Sequence, residues 1–137
     1  MAYWLMKSEP ASYSWERLVA DGRTHWNGVR NAQASNNLKA MAEGDQSFFY
    51  HSVEGLAVVG IMRIVRPFYP DPSDASGRYG MVDVVPVKSL AAPVTLAAIK
   101  AEPRLAGLPL IRQSRLSVLP VAPEAWKLIC KMGGVAP

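Results

Sequence analysis

The stretch QSFFYHSVEGLAVVGIMRIV, residues 46–65, indicates the fold class of this chain. Two runs of aromatic and β-branched residues, QSFFYHS and LAVVGIMRIV, are separated by the short turn VEG. Such residues favour β-strands, and a short separation favours an antiparallel hairpin. Both runs are apolar almost throughout, so the two strands are expected to be largely buried. The hydrophobic core therefore begins with this hairpin.

Strand patterns continue on both sides of the hairpin. Residues 2–6 form a short apolar run that ends before a proline, a residue that cannot donate a hydrogen bond to a neighbouring strand. MVDVVPV at 81–87 predicts a further strand with Pro86 at an edge or bulge, and RLSVLPV at 115–121 predicts one more. RPFYPDPSDASG at 66–77 is rich in turn-forming residues and is predicted as a loop.

Helix signals flank these strands. SYSWERLVADG at 12–22 offers Ser12 or Ser14 as the N-cap and Gly22 as the stop. Its apolar residues at helical spacing are Trp15, Leu18 and Val19. NAQASNNLKAMAEGD at 31–45 predicts a second, mostly polar helix. Its inward-facing residues would be Leu38 and Met41, with Gly44 as the C-cap.

Two more helices are predicted near the end of the chain. LAAIKAE at 96–102 has Thr95 as a cap and Pro103 as its end, and PEAWKLICKM at 123–132 is followed by two glycines. About five strands with short helices favour an α+β fold, a small and partly closed barrel with helices at its rim.

Composition sets the broad class. The chain has 137 residues, half of them hydrophobic, which suits one domain spanning residues 1–137. The net charge of +4 favours an anionic partner without requiring one. A lone Cys130, no signal-peptide pattern and no apolar run near the roughly 20 residues of a membrane span predict a soluble, cytoplasmic or nuclear protein without membrane contact.

Catalytic and metal motifs are absent from the sequence. His25 and His51 are the only histidines, and neither belongs to a metal-binding spacing, so no metal is expected. Phosphate-binding and dinucleotide-binding glycine motifs are missing, so no cofactor is expected. Ser52 beside His51 is only a neighbour in sequence and does not indicate a hydrolase. No catalytic residue is assigned, and the chain is not expected to be an enzyme.

HWNGVRNAQASNNL, residues 25–38, is the strongest candidate for a binding site. Trp26 precedes a glycine that permits close approach of a ligand, and the following arginine and asparagines start a helix. An indole face with amide groups suits a flat nucleobase. In the alternative interpretation Trp26 packs in the core and the asparagines cover a solvated helix face. Both remain open from these residues alone.

Two other stretches have a similar mixed character. WLMKSEP at 4–10 ends an apolar strand with Lys7, Ser8 and Glu9, where side chains can point into the mouth of a barrel. LIRQSRLSV at 110–118 has two arginines around a glutamine and a serine, groups that can hold phosphates. The alternatives are a solvated strand end and an ordinary basic turn.

These stretches occur in an order that resembles the EVE domain family. The matching blocks are WLMKSEP, HWNGVRNAQASNNL, GDQSFFYHS, GIMRIVRPFYPDPS, VTLAAIKAEPRL and LIRQSRLSVLPV. The resemblance spans nearly the whole chain. It implies a PUA-like α+β fold related to YTH domains, a mixed β-barrel of about five to six strands with flanking short helices. It also implies a non-catalytic module that reads modified bases in DNA or RNA, such as methylated or hydroxymethylated cytosine or methylated adenine.

The resemblance implies that the site residues surround one cavity. The implied base-binding pocket comprises Lys7, Ser8, Trp26, Asn27, Gly28, Val29, Asn31, His51 and Ser52. The implied phosphate-binding residues are Arg30, Arg112, Gln113 and Ser114. A related YTH cage uses more than one aromatic residue, and the candidates for the second one here are Tyr50, Phe68 and Tyr79.

Two other classes of function stay open at this point. A ribonuclease of the related ASCH type could use Lys7, His51 and Arg112 as base and phosphate stabilisers. A protein-interaction module would instead use the loop FYPDPSDASG at 68–77. At this length the chain is not expected to include an effector domain, so any chemistry that follows base reading is expected to come from another effector protein.

Overall fold

The computed structural model describes residues 1–137 and contains one six-stranded mixed sheet with short helices around it. The strands are β1 Tyr3–Ser8, β2 Thr24–His25, β3 Gln46–His51, β4 Ala57–Pro70, β5 Gly80–Thr95 and β6 Val118–Val121. The helices are α1 Trp15–Asp21, α2 Ala32–Ala40, α3 Leu96–Ala101, α4 Pro109–Arg112 and α5 Pro123–Met132, with a 3-10 turn at Pro103–Leu105. None of these helices has the length and apolar character that crossing a bilayer requires.

The predicted hairpin is confirmed as β3 and β4, which pair in antiparallel fashion. Most of its apolar residues lie in a single cluster of 32 buried residues, where Phe48 stacks on Trp126 with ring centres 3.9 Å apart. β1 adds to the other side of β3 in parallel, so that Ser8 lies beside His51 at the ends of the two strands. This pairing brings the KSEP segment, residues 7–10, next to the YHS segment, residues 50–52.

The predicted α+β class is confirmed, but the sheet is open. Its strand order is β2-β5-β4-β3-β1-β6, and the two outer strands do not pair with each other. The pairing of β4 with β5 shifts register at four places, and such bulges bend a sheet. The result is a curved sheet where the sequence predicted a partly closed barrel.

Several element boundaries differ from the predictions. The loop predicted at 66–77 is wrong in its first part, because β4 continues to Pro70 and pairs with Gly80. The strand predicted at 81–87 is part of the longer β5, and Pro86 lies at a register shift as predicted. Two short elements were not predicted: the two-residue strand β2 and the single turn α4.

The helix caps were predicted in part. Ser14 caps α1 by accepting a hydrogen bond from the Arg17 N–H at 3.1 Å, and Gly22 ends the helix with a φ of 75°. The prediction that α2 reaches Gly44 is wrong, because the helix ends at Ala40. The buried Asp45 carboxylate accepts from the Ala42 N–H at 3.0 Å, which turns the chain away from helical geometry. Val19 of α1 is 51% exposed despite its apolar spacing.

Candidate functional site

A cleft of about 450 Å³ lies at the end of β1. Its lining comprises Lys7, Ser8, Ser12, Tyr13, Thr24, His25, Trp26 and Asn27. Four of these residues were among the predicted site residues: Lys7, Ser8, Trp26 and Asn27. We call this space the Trp26 cleft.

Trp26 is held firmly at the edge of the core. Its backbone N–H donates to the Val82 carbonyl at 2.8 Å, and its ring meets the Phe49 ring edge-on at 5.5 Å between centres. Only 8% of the residue is exposed, and it lines the cleft. Trp26 therefore combines both interpretations of the sequence, because it packs on the core and also contributes to the surface of the cleft.

Tyr13 is the second aromatic residue of the Trp26 cleft and was not predicted from the sequence. Its carbonyl accepts from the Ser8 hydroxyl at 2.6 Å, and its phenol donates to Asp21 at 2.9 Å. Burial raises the pKa of Tyr13. None of the three predicted aromatic candidates lines this cleft: Tyr50, Phe68 and Tyr79. The available signal was the closeness of Tyr13 to the KSEP segment.

Lys7 separates the Trp26 cleft from a second cleft of about 540 Å³. The lining of this second cleft comprises Lys7, Glu9, Tyr50, Ser52, Val53, Leu56, Leu96, Leu110, Ser114, Arg115 and Ser117. The Lys7 ammonium donates to the Ser114 carbonyl at 2.8 Å and lies 6.0 Å from the centre of the Tyr50 ring. Burial lowers the pKa of Lys7.

A third, basic depression of about 330 Å³ contains most of the predicted phosphate-binding residues. Its lining comprises Asn31, Gln33, Arg112, Gln113, Ser114, Arg115 and Leu116. The Arg112 Nε donates to the Ala106 carbonyl at 3.1 Å, which fixes the direction of an exposed side chain. The third depression shares Ser114 with the second cleft, and the second cleft shares Lys7 with the first. The three spaces therefore follow one another along the surface.

The predicted site residues do not surround one cavity. Gly28, Val29, Arg30 and His51 line none of these three spaces. Val29 is buried in the core, and the ring of His51 packs edge-on against Phe49. The His51 Nε2 accepts from the Trp15 N–H at 3.1 Å, and burial lowers the pKa of His51. The pairing of β1 with β3 places the predicted segments side by side. Their side chains nevertheless point into different spaces or into the core.

A buried aspartate holds the segment that follows Trp26. The Asp71 carboxylate accepts from the Gly28 N–H at 2.9 Å, from the Arg30 guanidinium at 3.2 Å, and from the Ser73 N–H and hydroxyl at 2.8 and 2.6 Å. Burial alone would raise the pKa of Asp71, but these hydrogen bonds hold it well below its usual range. Gly28 has a φ of 79°, which other residues rarely adopt. Arg30 is thus engaged by the protein itself.

A second buried aspartate lies beside the Trp26 cleft. Asp83 accepts from Arg23 at 2.8 Å, contacts the His25 Nδ1 at 2.8 Å, and accepts a hydrogen bond from the Tyr69 hydroxyl. Burial alone would raise the pKa of Asp83, but hydrogen bonds from Tyr69, His25 and Arg23 lower it to about 2. His25 was not a predicted site residue, although it directly precedes Trp26.

The geometry bears on the alternative functions. Lys7 and Arg112 line different spaces and the Nε2 of His51 is already engaged, so the three residues named for a ribonuclease do not converge. No three histidine, cysteine, aspartate or glutamate side chains come together as a metal site needs. The loop named for a protein-interaction module is fastened to the fold through the buried Asp71.

Comparison with known proteins relates the chain to one family. The EVE domain model matches residues 2–132. A solved protein from Rhodopseudomonas palustris is 56% identical, with a TM-score of 0.93 over 98% of this chain and 94% of that one. Thymocyte nuclear protein 1 from Rattus norvegicus is 34% identical over 98% of this chain and 75% of its own length.

A solved human relative carries information on a ligand. Human THYN1 protein, solved in complex with 5-methylcytosine containing DNA, is 32% identical, with a TM-score of 0.91 over all of both chains. A YTH domain from Zygosaccharomyces rouxii, solved with N6-methyladenosine RNA, has a TM-score of 0.61 at 15% identity, a likeness of fold alone. The family model and these relatives cover nearly the whole sequence, and the chain belongs to the EVE domain family.

Proposed function

We propose that this chain is a non-catalytic binding module that takes a modified base of DNA or RNA into the Trp26 cleft. One observation carries the proposal: this cleft combines two aromatic residues, an amide and a cation in about 450 Å³. Aromatic faces stack on a flat base, and the polar groups can bond to its edge. The family relationship to a protein solved with DNA containing 5-methylcytosine supports the same conclusion.

Trp26 is the proposed stacking surface. Its backbone hydrogen bond to Val82 and its edge-on contact with Phe49 fix the ring before a ligand arrives. A ring that is already ordered loses little conformational entropy on binding. Stacking of a base on an aromatic side chain contributes about 1–3 kcal/mol. Tyr13 is proposed as the second aromatic contact.

The edge of the base would meet Asn27 and Ser8. Asn27 is exposed, so its amide can both donate and accept hydrogen bonds. The Ser8 hydroxyl donates its hydrogen to the Tyr13 carbonyl, which leaves the Ser8 oxygen as an acceptor. A methyl group buried in the cleft would add roughly 0.8 kcal/mol, a few-fold preference for a methylated base.

The backbone of the nucleic acid would run from the Trp26 cleft past Lys7 and through the second cleft to the third depression. The third depression, with Arg112, Gln113, Ser114 and Arg115, would bind a flanking phosphate. Arg30 is not among the proposed phosphate contacts, because the buried Asp71 offsets its charge. These contacts would help to offset the few kcal/mol that extruding a base from a duplex costs. Affinity should therefore fall as salt rises.

The test is a titration of labelled oligonucleotides followed by fluorescence anisotropy. The oligonucleotides would be identical except for one cytosine or adenine with or without a methyl or hydroxymethyl group, in DNA and RNA versions. Wild-type protein should prefer one modified oligonucleotide, and Trp26→Leu and Asn27→Ala should weaken that binding about 5- to 50-fold. Because Trp26 is nearly buried, thermal unfolding would verify that Trp26→Leu is folded.

Asn36→Ala is the matched control, since Asn36 is an exposed asparagine on α2 outside the Trp26 cleft. It should bind as the wild type does. Equal binding of every oligonucleotide by the wild type would contradict base reading, and cleft variants that behave like Asn36→Ala would move the site elsewhere.

A further inference from the structure

A histidine at the Trp26 cleft is held by a carboxylate that the solvent does not reach. His25 lines this cleft with 62% of its side chain exposed, and its Nδ1 lies 2.8 Å from Oδ1 of Asp83. Asp83 is 2% exposed. The other carboxylate oxygen accepts from Nη2 and Nε of Arg23 at 2.8 and 3.3 Å, which fixes its orientation.

The contacts of Asp83 determine which nitrogen of His25 carries the proton. Asp83 is ionised at neutral pH, because its pKa is lowered to about 2. An ionised carboxylate only accepts hydrogen bonds, so the close contact requires a hydrogen on Nδ1 of His25. The Tyr69 hydroxyl donates to the same oxygen and lies 2.9 Å from Nδ1, where its oxygen can share that hydrogen. The neutral imidazole therefore has its lone pair on Nε2.

The Nε2 atom of His25 is available to a ligand. The hydrogen-bond contacts of the ring, with Asp83 and Tyr69, are both made through Nδ1. The two ring nitrogens point in widely different directions, so a ring whose Nδ1 faces the buried Asp83 directs Nε2 outward. Since His25 lines the cleft, this acceptor is within reach of a base bound there.

We propose that His25 is a specificity-determining residue whose Nε2 accepts a hydrogen bond from the exocyclic amino group of the bound base. The inference rests on the proposed function and narrows it to bases with an amino group at C4 of a pyrimidine or C6 of a purine, those of the cytosine and adenine type. A keto group at the same position would place two lone pairs against each other and leave both without a donor. Asp83 and Tyr69 act through His25 as positioning residues.

Single-stranded DNA containing one 5-methylcytosine or one thymine tests this preference. The two bases share the ring and the methyl group but differ in the amino or keto group and in the proton on N3. A single strand removes the cost of extrusion from a duplex. Wild-type protein should prefer 5-methylcytosine about 10-fold. An oligonucleotide with 5-methyl-2-pyrimidinone, which lacks the amino group and adds no keto group, should bind with intermediate affinity.

His25→Leu should lose most of this preference, because it weakens 5-methylcytosine binding and strengthens thymine binding by removing the lone pair that faces the keto group. His25→Gln, whose amide oxygen can accept, should restore part of it.

Asp83→Asn tests whether the tautomer of His25 sets the base preference, a dependence that a purely structural role of His25 would not produce. An asparagine amide can donate to Nδ1 and shift the proton to Nε2, which turns the acceptor into a donor. The imidazole ¹⁵N chemical shifts should then report the other tautomer, and the preference should vanish or invert.

The outcomes separate the two proposals. If the wild type binds modified and unmodified oligonucleotides equally, the proposed function fails. If it prefers 5-methylcytosine over thymine and folded His25→Leu keeps that preference, base reading stands and the role of His25 is overturned.

Discussion

Two buried aspartates contact residues 25–30, here called the Trp26 segment, and they differ in the groups that donate hydrogen bonds to them. Asp71 and Asp83 are each 2% exposed, and each pairs with an arginine. Asp71 accepts from the backbone N–H groups of Gly28 and Ser73, whereas the hydrogen bonds of Asp83 come from side chains. A carboxylate bound to backbone fixes the path of the chain. A carboxylate bound to side chains orients those side chains, and the backbone there is positioned by strand pairing instead.

The strongest test of this difference is to remove each carboxylate in turn. Asp71→Ala should lower the free energy of unfolding by about 2–4 kcal/mol, because it leaves the partly buried N–H groups of Gly28 and Ser73 and the Arg30 guanidinium without their partner. Asp83→Ala should cost roughly half as much, since Arg23 and His25 are exposed enough to be hydrated. Urea unfolding at neutral pH measures both values. A larger loss for Asp83→Ala would reverse the comparison.

Acid should reduce the stabilisation that Asp71 and Asp83 provide together with their hydrogen-bond partners, here called the two aspartate clusters. The pKa of each aspartate is lower in the folded protein than the value of about 3.9 for an unfolded chain. The folded state then binds fewer protons, so this stabilisation is complete above about pH 5 and declines as the pH falls through 4 toward 2. The loss assigned to Asp83 should be roughly 1–2 kcal/mol by pH 2. Urea unfolding from pH 7 to pH 2 checks this, and Asp83→Asn should show a flatter dependence.

Replacing Arg30, the partner of Asp71, should cost more stability than replacing Arg23, the partner of Asp83. Arg30→Met should destabilise the protein by about 1 kcal/mol, because Arg30 binds Asp71 and also donates to the Ser73 hydroxyl at 2.9 Å. Arg23→Met should cost only a few tenths of a kcal/mol, since half of the Arg23 side chain is exposed. Thermal unfolding of the two variants makes the comparison. Equal shifts would mean that the two ion pairs are equivalent.

Val53 offers a reference site outside both clusters, with the smallest expected effect. It has a φ of 70° and is 70% exposed in the turn between β3 and β4. A β-branched residue rarely adopts this conformation, whereas asparagine tolerates it. Val53→Asn should therefore stabilise the protein by about 0.5–1 kcal/mol, measured by urea unfolding, without changing the acid dependence of either aspartate. A loss of stability would show that the valine side chain contributes more than the strain costs.

Local signals in the sequence located many of the elements. The β3–β4 hairpin, the Ser14 cap and the Gly22 stop follow from the residues themselves, because strand propensity and helix capping are local properties. The extension of β4 through the proline-rich stretch does not, because it depends on pairing with β5. The early end of α2 likewise depends on Asp45, whose other contacts include the Trp4 indole at 3.1 Å.

The candidate site was predictable as a set of segments but not as a surface. Lys7, Ser8, Trp26 and Asn27 share the Trp26 cleft, whereas Ser52 and Asn31 line other spaces. Sequence spacing carries no information on which side chains face each other across strands that are far apart along the chain. His25 was not predicted for the same reason, since its partner Asp83 is far away along the chain. Tyr13 differs, because it bonds to the nearby Ser8 and its position was accessible from the sequence.

The sequence by itself determined the α+β class, the apolar hairpin at the centre of the sheet and the polar segments beside Trp26, because composition and periodicity act over a few residues. Only the tertiary structure decided that β1 lies parallel to β3, that the candidate site residues do not share one cavity, and that Asp71 and Asp83 contact the Trp26 segment. These arrangements depend on contacts between residues more than 40 positions apart, such as those of Asp71 with Gly28 and Asp83 with His25. Such contacts form only where packing of the whole core brings their partners together.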